Sequence, residues 1–296
     1  MNKQPHKQPP ETELVGNSAE FQRVLQAARM VAATEASVLL RGPDGSGRCR
    51  LAGEIHRLST RRKQDLFSFN CAILDDLQAL HEGDGGSIFL GEVDQLSQPL
   101  QAGLLAWLET GQLAGRPLDA RLIASAGEQM LQRVEQGLFR QDLYHRLNVV
   151  PLEVPRLSER NGDVPLLLKA FVREFARLHG RRAPQFGVGA MNLLKAYAWP
   201  GNVRELRNFA ERMVILLPGQ LIQPEGLPAE MKGQPGAARG GLFQLPEGGI
   251  DLNQLEADIL RQALLQAGGN RSKAARLLKI SRDTFLYRLQ KFAVDV

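Results

Sequence analysis

The chain has 296 residues, of which 43% are hydrophobic and 23% charged, and it carries a net charge of +5. This is the composition of an ordinary soluble protein, long enough for two or three domains with sizeable cores. No apolar run is long enough to span a bilayer, which excludes a membrane-spanning helix.

Residues 1–12 (MNKQPHKQPPET) are polar and proline-rich, without the apolar core of a signal peptide, and are expected to be a disordered tail. Together these absences point to a cytoplasmic protein that contacts no membrane. The two cysteines, Cys49 and Cys71, have no metal-ligand spacing, and both are expected to be small, partly buried residues with no metal site. Glu13–Ala33 reads as a helix capped by Ser18, with Phe21, Val24, Leu25 and Ala28 at helical spacing. Val38–Leu40 follows as a short buried strand. Gly42-Pro-Asp-Gly45-Ser-Gly47 is then a glycine-rich turn, and Cys49–Leu58 a helix. That layout suits a phosphate-binding loop, in which backbone N–H groups and a helix N-terminus face an anion. The usual pattern, G-x-x-x-x-G-K-[ST], is broken here by Arg48 in place of lysine and Cys49 in place of a hydroxyl residue.

Further strands are predicted at Phe67–Asn70, Ser87–Leu90, Arg121–Ser125 and Val149–Val154, with helices at Pro99–Thr110 and Leu138–Leu147. Short buried strands alternating with helices imply a mostly parallel sheet covered on both faces. Residues 163–217 change character: three helices, Asp163–His179, Gly189–Tyr197 and Val203–Leu217, with no strand candidate. Residues 218–249 are rich in proline and glycine and read as a linker. Residues 250–296 are helical again. Leu252–Gln266 ends at Gly268-Gly269, Ser272–Leu278 follows, and Ser281 caps Arg282–Lys291. Two short helices joined by a tight turn, the second bearing basic and polar residues, form a helix-turn-helix. Its core is expected from Ala274, Ala275, Leu277, Leu278, Ile280, Phe285 and Leu289. Arg282, Asp283, Thr284, Tyr287 and Arg288 are expected to face the major groove of double-stranded DNA, beside the cap Ser281. Arg271, Ser272 and Lys291 are expected on phosphates, with Lys273 in the same basic cluster.

Several stretches resemble signatures of one family. They are LVGNSAEFQRVL, GPDGSG, FNCAIL, GGSIFLGEV, GLFRQDLYHRLNV, VPRLSERNGDVP, YAWPGNVRELRNFAERMVIL and AGGNRSKAARLLKISRDTFLYRLQKF. The chain resembles the bacterial enhancer-binding proteins, the AAA+ activators of sigma-54 RNA polymerase, from Leu14 to Phe292. The resemblance implies an α/β fold: an AAA+ P-loop αβα sandwich over 13–160, a helical lid over 161–217, and an all-α Fis-type helix-turn-helix domain over 250–296. It implies ATP or ADP as ligand, held at Gly42, Gly45, Gly47, Arg48, Cys49 and the lid's sensor position Arg204. It makes Glu92 the water-polarising glutamate, Asn70 the residue that switches it, and Arg140 and Arg146 the arginine fingers that reach a neighbouring subunit.

The departures from the family pattern cluster at that site. Gly91-Glu92 replaces the Asp-Glu that ends the Walker B strand, removing a magnesium carboxylate, and Ala126-Gly127 replaces the Thr-Asn that senses the γ-phosphate. Each lost element commonly costs about 10²–10³-fold in rate. The resemblance therefore leads us to expect weak ATP or ADP binding, no firmly held magnesium and little or no hydrolysis. The family's insertion with the GAFTGA loop, which grips the sigma factor, is also missing, since Leu80–Gly86 runs straight into the next strand. The resemblance starts near Leu14, so no sensory domain is expected ahead of it. Three functions stay open. One is a DNA-binding transcriptional regulator, a homo-oligomer (dimer or ring), that does not drive polymerase remodelling. Another is an active AAA+ ATPase with atypical residues. The third is an oligomerisation or inhibitory partner of an intact relative. A related activator or RNA polymerase is a further expected partner.

Overall fold

The computed structural model describes residues 6–7, 14–232, 252–278 and 280–292. The chain divides into two compact units, residues 1–235 and 236–296.

The first unit is built on a six-stranded sheet. In chain order its strands are β1 (His6–Lys7), β2 (Val38–Arg41), β3 (Leu66–Asn70), β4 (Ser87–Gly91), β7 (Arg121–Ala126) and β8 (Val150–Glu153). Two further strands, β5 (Gln112–Leu113) and β6 (Arg116–Pro117), form a separate hairpin between β4 and β7. Across the sheet the order is β1, β3, β4, β7, β2, β8. All neighbours are parallel except β1, which pairs antiparallel with β3 within the stretch expected to be a disordered tail. Parallel strands need crossovers that cover both faces, and β2 shows the result. Leu39 packs into one core with Leu90, Leu104 and Phe139, while Val38 and Leu40 pack into the other with Phe21, Leu51 and Ile55. The helices are α1 (Ala19–Ala32), α2 (Arg48–Arg57), α3 (Gln98–Thr110), α4 (Met130–Glu135) and α5 (Gln141–Leu147). Ser18 caps α1, as expected. The predicted helix over 138–147 starts only at Gln141, because Arg140 takes extended backbone as its N-cap.

The lid follows, with α6 (Asp163–Leu178), α7 (Val188–Ala196) and α8 (Asn202–Leu216). Its core is Phe171, Phe175, Leu194, Trp199, Leu206 and Phe209. Two corrections apply. A two-residue parallel pair, β9 (Gln185–Phe186) with β10 (Leu221–Ile222), lies where no strand was expected. In addition, the packed lid runs past the expected start of the linker at 218, since Ile222, Leu227 and Met231 are buried in its core. Residues 233–249 of that linker lie outside the described residues.

The second unit contains α9 (Leu252–Gln266), α10 (Arg271–Leu277) and α11 (Arg282–Lys291). Leu260, Ala263, Leu264, Ala274, Ala275, Phe285 and Leu289 form its core. Gly268 and Gly269 end α9 with left-handed φ of 62° and 80°.

Candidate functional site

The glycine-rich turn closes between β2 and α2. Gly42, Gly45 and Gly47 have φ of 148°, 75° and 106°, which side chains other than glycine rarely adopt. A Cβ at Gly42 or Gly45 would also run into the carbonyl oxygen of Val154 or Gly201. Gly47 is the N-cap of α2, so the turn presents backbone donors at a helix N-terminus. Ser46 Oγ is buried in the turn with no hydrogen-bond partner.

Arg48, at the lysine position, is buried. Its Nη1 donates to the Ala126 carbonyl at the end of β7, and its Nη2 pairs with Asp44 in the turn. Both ends of the guanidinium fork are therefore satisfied by the protein itself. A cavity of about 330 Å³ opens beside it, lined by Gly45, Gly47, Arg48, Cys49, Asn70, Glu92 and Arg204 among the residues expected there, whereas Gly42, also expected there, lines a separate cavity with Arg41, Pro43 and Arg156. Cys49 is exposed, against the expectation of partial burial. It lies one residue, roughly 100° around α2, from Arg48, whose side chain turns to the sheet end at Ala126. Cys71 is buried, and desolvation with the nearby Asp94 and Glu92 charges pushes its thiol well above the ordinary range.

Glu92 follows β4 directly and takes a left-handed φ of 57°, unusual without glycine. Its N–H donates to Ser125 Oγ at 3.3 Å. No carboxylate stands at Gly91. The next carboxylate after Glu92, that of Asp94, is buried and accepts from Gly127 N–H at 3.2 Å. Asn70 Oδ1 accepts from Ala72 N–H at 3.0 Å, which caps the turn after β3. Among the described residues no group of three or more His, Cys, Asp or Glu is placed to hold a metal ion. The backbone donors of the turn fit a phosphate group. From β3 the chain reaches β4 through short 3-10 turns with Leu77, Leu80 and Gly83 buried.

The lid is fastened directly to the turn. Asn202 Nδ2 donates to the Asp44 carbonyl at 3.0 Å, and Asn202 Oδ1 accepts from Leu157 N–H at 2.9 Å. Arg204 N–H donates to the Gly45 carbonyl at 3.1 Å. Asn202 holds a left-handed φ of 53°, which asparagine tolerates better than most residues. The Arg204 side chain is exposed at the cavity. Arg50 and Arg207 line it as well, as does Ser125. The sequence reading missed these three and Asn202. The only sequence signal was the basic run at Arg48 and Arg50, and the spacing of Arg207 three residues after Arg204. Arg140 and Arg146 lie apart from this cavity, exposed on and before α5. Arg140 forks onto Asp142, with Nε–Oδ1 of 3.0 Å and Nη2–Oδ2 of 2.7 Å.

In the second unit Asn270 caps α10 by accepting from Ser272 and Lys273 N–H, and Ser281 caps α11 by accepting from Thr284 N–H. Arg271, Lys273, Arg282, Asp283, Tyr287 and Lys291 are exposed, with Ser272 and Thr284 half-buried. Arg288 differs from the expectation of a freely presented side chain, because its Nη1 pairs with Glu256 of α9 at 2.6 Å. Leu277, expected in the core, is 49% exposed. At 3.6 residues per turn it lies roughly 100° from the centre of the arc that buries Ala274, Ala275 and Leu278.

Residues 15–157 match the Sigma-54 interaction domain, 158–240 the AAA+ ATPase lid domain, and 251–292 the bacterial regulatory protein, Fis family. The transcriptional regulatory protein ZraR of Escherichia coli (strain K12) is 35% identical over 310 residues, covering 94% of this chain and 68% of that protein. The chain belongs to the sigma-54 enhancer-binding family. Nitrogen fixation protein AnfA of Azotobacter vinelandii is 34% identical over 310 residues, covering 95% of this chain and 58% of its own. Among solved structures, NtrX from Brucella abortus in complex with ATP is similar at a TM-score of 0.70 and 30% identity, covering 95% of this chain and 69% of NtrX. A Thermotoga maritima RuvB shares the fold alone, at 18% identity and a TM-score of 0.51, covering 92% of this chain and 85% of its own. These family relationships agree with the α/β AAA+ architecture and the Fis-type helix-turn-helix read from the sequence.

Proposed function

We propose that this family member is a sequence-specific DNA-binding regulator that holds a nucleotide without using its hydrolysis to remodel polymerase. The observation that carries the reading is the fate of Arg48. The cation at the head of the phosphate loop is spent on Ala126 and Asp44, so it is not free to neutralise charge developing on a transferred phosphoryl group. Gly91 adds no metal carboxylate, and the short passage from β3 to β4 leaves out the family's sigma-gripping loop. The turn at Gly42, Gly45 and Gly47 still offers its backbone donors, so ATP or ADP binding is compatible with slow or absent turnover. The solved relative in complex with ATP supports a nucleotide as the ligand class. The basic, polar surface of α10 and α11 supports double-stranded DNA as partner, with phosphate contacts for affinity and α11 for base readout.

The test pairs two measurements on the intact chain. A gel-shift titration at stated salt should give tight, sequence-dependent binding to a specific fragment, weakening steeply as salt rises. A turnover assay should give no ATP hydrolysis above background. Brisk hydrolysis abolished by Glu92→Gln, or binding that is weak and indifferent to sequence, refutes the proposal. A second reading, a subunit of a relative's ring, is favoured by Arg140 and Arg146, which stand exposed outside their own chain's cavity. It predicts co-purification with an intact relative that survives removal of residues 250–296.

A further inference from the structure

Arg50 and Arg207 line the lid-side end of the cavity, together with Arg204. Arg50 is half-buried and rests on the Phe171 ring at 5.7 Å, and it makes no ion pair among the described residues. Arg207 stacks over Phe175 at 4.5 Å and pairs with Glu174 at 3.0 Å through Nη2. Its Nε is buried with no acceptor. One carboxylate, Glu174, thus answers two guanidinium groups close enough to disfavour each other's charge. Desolvation first, and then the Arg207 charge, hold the Arg50 proton affinity below its ordinary range. Flat, weakly hydrated forks set against aromatic rings, with an orphaned N–H on Arg207, suit a phosphate group.

We propose that Arg50 and Arg207 form an anion site for a phosphate group of the bound nucleotide, and that Arg50 supplies the charge which the inward-turned Arg48 withholds. The inference rests on the reading of this cavity as a nucleotide site. Arg50 is two residues beyond Arg48 on α2 and so points roughly 200° away around the helix. That carries it from the sheet side, where Arg48 meets Ala126, to the lid side, where α6 and α8 stand. The site is complete only with the lid in place, because Phe171, Glu174 and Arg207 belong to it.

The test is calorimetric titration of the intact chain with ATP, and separately with inorganic triphosphate, which separates phosphate recognition from recognition of the whole nucleotide. Arg50→Leu should weaken ATP binding by about tenfold or more, the usual worth of a charge-assisted contact. Arg50→Lys should recover part of that loss. Arg212→Leu, an exposed arginine of α8 outside the cavity, should change nothing. Triphosphate affinity should fall with Arg50→Leu in the same proportion. Thermal melting of each variant without ligand checks that the fold is retained, and Arg50→Gln, which removes the charge but keeps a polar side chain, repeats the test should Arg50→Leu melt early. Binding within twofold of the unaltered chain for Arg50→Leu, or an unaltered chain that binds no ATP, overturns the proposal. The wider reading fails through different observations, rapid turnover or lost sequence-specific DNA binding, neither of which depends on Arg50.

Discussion

Replacing Asp163 by asparagine removes one charge from a buried polar cluster in the first unit and changes almost nothing in volume. The Asp163 carboxylate is fully buried and accepts from Asn17 N–H (2.6 Å), Ser18 N–H (3.0 Å), Ser18 Oγ (3.1 Å) and Arg160 Nε (2.8 Å). Arg160, with 2% of its side chain exposed, also donates to the Val15 carbonyl at 3.0 Å and lies 3.7 Å over the Phe21 ring. Asparagine has one acceptor oxygen, and its amide would point a donor at donors. Breaking a buried pair while leaving its partner charged costs about 3–5 kcal/mol. For a unit of this size each kcal/mol moves the midpoint by about 2–4 °C, so the melt should fall by about 6–20 °C. Scanning calorimetry of the intact chain measures it. Arg160→Gln with Asp163→Asn should cost less than the two single losses added, by about 0.5–3 kcal/mol. A single-variant loss below about 1 kcal/mol would mean that Asp163 is not the hub of this joint, and the reasoning would be wrong.

Asn202→Ala removes the clasp between lid and turn, leaves the Leu157 N–H without an acceptor and puts alanine at a left-handed φ. We expect a loss of about 1–3 kcal/mol, with faster amide exchange confined at first to residues 42–48, read by mass spectrometry. Glu256→Gln releases Arg288 from its ion pair, and DNA affinity should rise by about two- to tenfold in a gel shift at low salt, the gain shrinking as salt increases. His56 is buried, with Nε2 against the Gln64 carbonyl at 3.0 Å and Nδ1 against Ser87 Oγ at 2.9 Å. Burial lowers its pKa below the ordinary 6.5, so the unfolded chain binds the proton more readily. Stability should therefore be full above pH 6.5 and decline as pH falls below it. His56→Gln should flatten that decline in melts taken between pH 7 and 5.

Much of the sheet was legible because β2, β4 and β7 are buried on both faces and carry apolar stretches at Val38–Leu40, Ile88–Leu90 and Leu122–Ala124. The caps were legible for a local reason: Ser18 and Ser281 accept from an N–H three residues on. The pair β9 with β10 was not, since two residues carry no period, and the strands meet through long-range main-chain hydrogen bonds and packing of Phe186 and Ile222 on the lid core. The hairpin of β5 and β6 hinges on Ala114 and Gly115, both at positive φ, and alanine gives no warning of that. At the candidate site the loop and its glycines were plain. The direction of Arg48 was not, because it depends on the Ala126 carbonyl, 78 residues away in the chain. The gathering of Arg50 and Arg207 in one cavity likewise needs the lid seated on the turn, which no spacing encodes.

The clasp formed by Asn202 and the Arg204 N–H carries a consequence for signalling. A ligand moves a conformational balance only through unequal preference for the two arrangements. Here the two bodies are buttoned together through main-chain atoms of the very turn that would greet a phosphate. A guest that leaves those buttons fastened stiffens the cleft and shifts little else. One that needs the Asp44 or Gly45 carbonyl moved must undo them, and only such a guest can announce its arrival beyond the pocket.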